Sequence, residues 1–269
     1  MLVGRLFGYF RERNQELNSA HFPGAEDDPW RPYRTLIKEL QRGASTVVDL
    51  GAGPVDACQE WLGISHSPAS ESTYPIVVSL DQDRLSLRRN PGKHRVLADA
   101  RCLPFRENSV DLLLSRYTLE HVPDPLLMIK EAARVLKPGK ALVFVTPHRW
   151  CYVSVVARLT PVWFHRLVYR LLGHSGHNLP FCPTYYRLNT PGAISARARE
   201  VGLELSQLRI TVGPPEYTKI LPPALHRLLI WFHALLERSP RLRHYLGINL
   251  FGVLQKHSPE TSPSSQRPA

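Results

Sequence analysis

Three carboxylates in this chain stand where short apolar runs stop. Asp49 lies within Val47-Val48-Asp49-Leu50-Gly51-Ala52-Gly53-Pro54, Asp81 follows Ile76-Val77-Val78-Ser79-Leu80, and Asp99 follows Val96-Leu97-Ala98. An apolar run that ends in a glycine turn is the pattern of a buried strand opening into a ligand loop. Gly51 and Gly53 carry no Cβ, so the backbone there can take unusual dihedrals and a bulky ligand can come close. Asp49 sets a negative charge beside that space, which suits a cationic ligand. Asp81 suits a ribose diol. A dinucleotide-binding G-x-G-x-x-G turn from Gly51 would need glycine or alanine at position 56, where Asp56 stands instead and would repel a pyrophosphate, so a dehydrogenase is the weaker enzyme reading.

The elements that must position these groups follow in order. Val110-Asp111-Leu112-Leu113-Leu114-Ser115 reads as a fourth strand and Ala141 to Thr146 as a fifth. Helices are expected over Arg31 to Leu40, with Pro32 near its start, over Asp56 to Gly63, Arg84 to Arg89, and Asp124 to Leu136. In the last of these Leu127, Glu131 or Ala132, and Val135 fall at helical spacing, and Lys137-Pro138-Gly139 supplies a stop. Phe22 to Trp30 and the Ser/Pro-rich stretch Ser65 to Pro75 read as loops. Strands alternating with helices predict a parallel sheet covered on both faces.

Taken together, the stretches DLGAGP, LDQD, DARCLPF, SVDLLLS, LEHVPDP and RVLKPG, between about Val47 and Pro147, resemble the class I S-adenosylmethionine-dependent methyltransferases. The likeness is to the broad type 11 group that includes the ubiquinone and menaquinone methyltransferases. It implies S-adenosyl-L-methionine as cofactor, with Asp49, Gly51 and Gly53 at its methionine end and Asp81 on the ribose hydroxyls with Gln82 beside it. Asp99 and Ala100 would bound the adenine, and Ser115 and Arg116 would lie under the reactive centre. It also implies an N-terminal segment folding over the cofactor, with Trp30 or Tyr33 touching it; packing at the domain edge is the equal alternative. Pro54 and Asp56 depart from the fuller glycine motif.

The implied fold is α/β: a Rossmann-like, seven-stranded, mostly parallel sheet with helices on both faces, an antiparallel last strand and a helical lid insertion after strand five. A chain of 269 residues suffices for one such domain, 1–269. Within it, 31–147 is the cofactor-binding core, 148–189 the lid, 190–256 the rest of the sheet with an apolar helix, and 257–269 a disordered tail.

Beyond Pro147, Phe164, Leu167, Val168, Leu171 and Leu172 recur at helical spacing among His165, Arg166 and Arg170, which reads as a basic amphipathic helix. Asn189 to Val201 reads as a helix capped by Thr190, Leu205 to Val212 as strand six, and Ile248 to Lys256 as the last strand. Leu225, Leu228, Leu229, Phe232, Leu235 and Leu236 mark another helix.

For a hydroxyl acceptor the candidate general bases are His121 and His148, both after strand ends, although a loop-structuring role fits Glu120 and His121 better. The loop carrying His174, His177, Cys182, Tyr185 and Tyr186 lacks paired metal-ligand spacing, so no metal is expected. His177, Tyr185 and Tyr186 are instead read as acceptor-facing donors.

Charge is uneven. Residues 1 to 147 hold 19 Lys and Arg against 18 Asp and Glu, whereas residues 148 to 269 hold 15 against 5. Three readings follow for the basic half: solvated helix faces, a lid against an anionic membrane surface that admits a small lipid-like or aromatic acceptor, or, less favoured, nucleic acid. A catalytically silent cofactor-binding scaffold and a methyltransferase acting on RNA are the alternative functions; the oligomeric state is open. Cys58, Cys102, Cys151 and Cys182 are widely spaced, which favours reduced thiols in a cytoplasmic setting. Arg5, Arg11 and Arg13 suggest a transit peptide, while Glu12 and Glu16 argue against one.

Overall fold

The computed structural model describes residues 2–23, 30–54, 62, 75–172 and 183–258. The expected helix over Asp56 to Gly63 and most of the Ser65 to Pro75 loop lie outside them, as do Cys58, His174, His177, Cys182 and most of the 257–269 tail.

A continuous apolar run is stable as a strand only where both of its faces are covered. The strands β1 (Thr46–Leu50), β2 (Ile76–Asp81), β3 (His94–Leu97), β4 (Val110–Arg116), β5 (Leu136–Pro147), β6 (Leu203–Thr211) and β7 (Asn249–Lys256) form one seven-stranded sheet. Its order is β3-β2-β1-β4-β5-β7-β6. β1 pairs in parallel with β2 and β4, β2 with β3, and β4 with β5, while the β7 side is antiparallel. The central strands carry the core: Val47, Val48, Leu50, Leu112, Leu113, Leu142, Val143 and Phe144 are fully buried.

The described helices are α1 (Leu2–His21), α2 (Arg31–Leu40), α3 (Arg84–Arg89), α4 (Pro125–Val135), α5 (Tyr152–Leu159), α6 (Val162–Leu171), α7 (Pro191–Glu200), α8 (Pro223–Arg238) and α9 (Pro240–Leu246). Sequence signals mark several ends. The Asp83 carboxylate accepts the Leu85 and Ser86 amides at the start of α3, and Thr190 caps α7 through Ala193 N, with Pro191 in the first turn.

Two compact units result. One, made of Pro32–Thr146, Tyr185–Arg209 and Phe251–Ala269, holds most of the sheet with α2, α3, α4 and α7. The other, made of Met1–Arg31, Pro147–Thr184 and Ile210–Leu250, is helical and holds α1, α5, α6, α8 and α9.

Three expectations are corrected. The fifth strand begins at Leu136, not Ala141, directly after α4; an irregularity between Val110 and Leu112 absorbs the Pro138-Gly139 step, with Gly139 at φ +74°. In α4 the buried stripe is Met128, Ile129, Ala132 and Val135, and Leu127 faces solvent. In α8 the buried residues are His226, Ile230, His233 and Leu236, so Leu225, Leu228 and Leu235 of the expected apolar stripe are exposed.

Leu236 of that stripe is buried as expected, and His226 joins it on the buried side. His226 Nε2 lies 2.9 Å from Asn18 Oδ1, and its Nδ1 lies 2.9 Å from the Thr218 hydroxyl. Asn18 Nδ2 donates to Glu216, which leaves Asn18 Oδ1 as the acceptor and puts the imidazole proton on Nε2. Asn14 Nδ2 donates to the carbonyls of Lys219 and Leu221. α1 and α8 are therefore joined by the Asn18–His226 bond, with Asn14 holding the turn before α8.

Candidate functional site

The C-terminal ends of β1, β2 and β4 bring together the glycine turn, Asp81 and the residues after Ser115. Asp49 is buried near the end of β1, in register with Ser79 and Leu114. From there the Gly51 and Ala52 amides donate to Leu80 O at 2.8 and 3.0 Å, which ties the turn to β2. Gly51 and Gly53 sit at φ +70° and +62°, where a Cβ would be strained. A Cβ on Gly51 would also lie 2.6 Å from Thr118 Cγ2 and closer still to its hydroxyl, whereas one on Gly53 would meet open space.

Asp81 anchors the opposite side. Its Oδ2 accepts the Gly53 amide at 2.8 Å and its Oδ1 accepts the Asp83 amide at 2.7 Å. Gln82 is exposed beside it. Below the turn, buried Asn90 donates through Nδ2 to Gly53 O at 2.9 Å and accepts the Gly92 amide through Oδ1 at 2.8 Å.

Asp99 and Ala100 are half-buried after β3. The Asp99 carboxylate holds the Arg101 guanidinium at 2.6 to 3.1 Å, and that bond keeps it below the usual carboxylate range despite partial burial. The following loop is pinned from α4: Glu131 accepts the Leu103 amide, and Arg134 donates to the carbonyls of Leu103 and Phe105.

At the end of β4, Ser115 Oγ is buried and has no hydrogen-bond partner among the described residues. Arg116 is half-buried next to it. Tyr117 then takes φ +51°, an uncommon conformation for an aromatic residue, held by its amide bonding to Val145 O. Thr118 donates to Leu50 O at 3.0 Å.

Glu120 is a second buried acid of the region, in addition to Asp49. Burial pushes its carboxyl up to about 7, against the pull of its own backbone amide and of Thr146, whose hydroxyl donates to it at 3.0 Å. Asn189 Nδ2 donates in turn to Thr146 Oγ1. The Glu120 carbonyl accepts the amides of Tyr185 and Tyr186, the second at φ +50°. Arg187 stacks over the Tyr185 ring and donates to Pro123 O. Tyr185 is exposed, Tyr186 is buried, and both sit in the sheet-bearing unit with His121.

His148 belongs to the helical unit and is fully buried. Burial, with His244 nearby, lowers its pKa to about 4, and its Nδ1 accepts the Trp150 amide at 3.1 Å. Tyr33 is buried in α2 and Trp30 is half-buried.

Sequence reasoning missed Asn90, Tyr117 and Thr118. Asn90-Pro91-Gly92 was legible as a turn but not as a clamp, because the partner, Gly53, lies 37 positions away. Nothing local marks Thr118, whose role comes from the missing Cβ at Gly51.

These residues fit S-adenosylmethionine. Asp49 and Asp81 are acidic, as a sulfonium and a diol would require, Gly53 borders open space, and Ser115 Oγ is an orphaned polar atom within the same set of strand ends.

The comparisons with known proteins agree. Residues 48–144 match the family described as a methyltransferase domain. A demethylmenaquinone methyltransferase of Corynebacterium glutamicum is 28% identical over 138 residues, 50% of this chain and 56% of that protein. An uncharacterized methyltransferase of a Mycobacterium species is 32% identical over 146 residues, 50% and 52% of the two chains. The chain thus spans about half the length of the curated relatives it matches. Among solved structures, the methyltransferase chain in complex with the Trm112 activator of Haloferax volcanii aligns over 92% of this chain and 97% of its own, with a TM-score of 0.54 at 19% identity, a likeness of fold. Residues 48–144 are thus similar in sequence to a methyltransferase domain, and the chain shares the fold of a solved methyltransferase.

Proposed function

We propose that the protein is an S-adenosylmethionine-dependent methyltransferase that acts by in-line transfer on a small lipophilic or aromatic acceptor. The observation that carries this reading is the glycine turn held on one side by Asp81 and on the other by Asn90, with both Gly51 and Gly53 at positive φ. Asp49, Gly51 and Gly53 would hold the methionine end, Asp81 and Gln82 the ribose, Asp99 and Ala100 the adenine, and Ser115 and Arg116 the region below the reacting atom.

The bound cofactor supplies a methyl group on a sulfonium, an already activated leaving group. What remains for this chain is alignment and exclusion of water, effects that supply roughly 7–11 kcal/mol of a barrier. The strain at Tyr117 and the two amides on the Glu120 carbonyl favour such a rigid floor. Tyr185, Tyr186 and His177 are proposed on the acceptor side. Of the two candidate bases, His148 is the poorer, because a group lowered to about 4 with Nδ1 already occupied accepts a proton weakly at neutral pH. His121 remains the base for an acceptor that needs one.

The domain reading, a single catalytic domain over 1–269 with a helical insertion at 148–189, forms part of the proposal, as do a cytoplasmic setting and peripheral contact with anionic lipid. The fold neighbour bound to an activator raises a protein partner as a second possibility for regulation, and a pull-down with such activators would test it.

Calorimetric titration with S-adenosylhomocysteine, with Asp81→Ala as control, tests the assignment. Micromolar binding that the variant weakens supports it and directs a search for the acceptor among lipid and aromatic extracts; no heat and no thermal shift would leave the scaffold reading in its place.

A further inference from the structure

Most large hydrophobic side chains that face solvent belong to the helical unit, and two of its helices organise them. On α8 the buried stripe of His226, Ile230, His233 and Leu236 fixes which side looks outward. At 100° per residue the opposite side is Leu228, Trp231 and Leu235, with Arg227 and Arg238 along one flank and Leu225 on the other. Leu228 is 58% exposed and Trp231 64%. On α6 the outward side is Trp163, Arg166, Leu167 and Arg170, with Trp163 66% exposed. Ile230 and Leu236 are buried, yet Leu228, Trp231 and Leu235 leave a second apolar side toward solvent. Such a face calls for a covering phase.

The charge around it selects which phase. Residues 147–184 hold four arginines and no acidic residue, and residues 210–250 hold five Lys and Arg against two Glu. Tryptophan beside arginine on an in-plane helix suits the boundary between lipid headgroups and acyl chains, where the indole is half wet and the guanidinium meets phosphate or carboxylate. No described helix is long and apolar enough to cross a membrane. We propose that the outward faces of α8 and α6 dock this protein on an anionic lipid surface, with Trp231, Leu228 and Trp163 entering the headgroup boundary and Arg227, Arg238, Arg166 and Arg170 meeting the lipid charges. This specifies the membrane contact named above, and it stands whether or not the chain transfers methyl groups.

The test is flotation of the full chain with phosphatidylcholine vesicles, with and without phosphatidylserine, at low and high salt. The chain is expected to float with the anionic vesicles and to be released by salt. Leu228→Ala with Trp231→Ala should weaken partitioning about tenfold or more. Arg227→Gln with Arg238→Gln should weaken it by about 25-fold, about fivefold per arginine, and flatten the salt dependence. These side chains lie largely in solvent, so unchanged melting and unchanged S-adenosylhomocysteine titration serve as the fold control. Absence of flotation at low salt overturns the proposal, as does flotation that both variants retain. A concentration-dependent dimer that the Leu228 and Trp231 variant abolishes, with no flotation, would give the face to a second copy and overturn it too.

Discussion

The Asp81 carboxylate accepts the Gly53 amide at 2.8 Å, so the group read as the ribose ligand is also a brace of the glycine turn. Asp81→Ala removes a charged acceptor from both the Gly53 and Asp83 amides. A hydrogen bond to a charged group contributes about 1.5–3 kcal/mol, so losing the one proposed to the ribose should weaken S-adenosylhomocysteine binding by one to two orders of magnitude. Asp81→Asn, which keeps one acceptor oxygen, should fall between wild type and Ala in the same titration.

Gly51→Ala meets two obstacles at once, a φ of +70° and the Thr118 side chain. The backbone part should destabilise by about 1–3 kcal/mol. Adding Thr118→Ala removes the two closest contacts, leaving the residue 118 Cβ at 3.1 Å and the dihedral strain, so the double variant should be more stable than the two single changes summed. Denaturant titration of all four proteins measures this coupling.

Glu120 gives the protein a stability term that weakens with rising pH. Its folded pKa of about 7 lies above the unfolded value, so between about pH 4.5 and 7 the native state holds a proton that the unfolded chain has released. The protonated carboxyl is the favoured folded form, and stability is lost as pH rises through this window, by an amount on the order of 3 kcal/mol. Glu120→Gln keeps an acceptor for Thr146 without the charge. The variant should melt near wild type at pH 5 and above it at pH 8.

Asp111 runs the other way. It is buried, which raises its pKa, but the Lys137 ammonium at 2.9 Å and the Ser45 and Thr46 amides outweigh burial and hold it below the ordinary range. A depressed pKa contributes stability above the unfolded value, about 3.9, that disappears as pH falls through the folded one. Lys137→Ala should destabilise by about 1–3 kcal/mol at neutral pH and shrink this acid-side loss. Urea titrations at pH 3 and pH 7 distinguish the two proteins.

His226 should respond to acid in the same direction. Burial, the first of its influences, lowers its pKa, so charging it below the ordinary histidine range opposes folding. With Nε2 donating to Asn18, His226→Gln keeps one of the two bonds, and it should melt with less loss than wild type between pH 7 and pH 5.

What was legible in the chain was whatever its local chemistry dictates. Leu112 to Leu114 are apolar without interruption and Val47 to Leu50 are apolar but for Asp49, so they had to be strands covered on both faces. Glycine at 51 and 53 permits the positive φ that both adopt. Thr190 with Pro191, and Asp83 before α3, announce helix starts because capping is local. The order of these elements carried the seven-stranded sheet and the family with it.

What only the tertiary structure decided rests on partners far away in sequence. α1 had no readable core stripe, because two of its buried residues, Asn14 and Asn18, find their acceptors and donors more than 190 positions on. The apolar stripe in α8 was visible, but its centre was not: Leu236 is buried as its spacing suggests, while the bonds of His226 to Asn18 and Thr218 place histidine inside where Leu225 and Leu228 stay exposed. The Asn90 clamp, the Thr118 contact that forbids a Cβ at Gly51, and the burial that lifts Glu120 have the same origin. A polar side chain is neutral in sequence until a fold supplies or withholds its partner, and that choice belongs to tertiary structure.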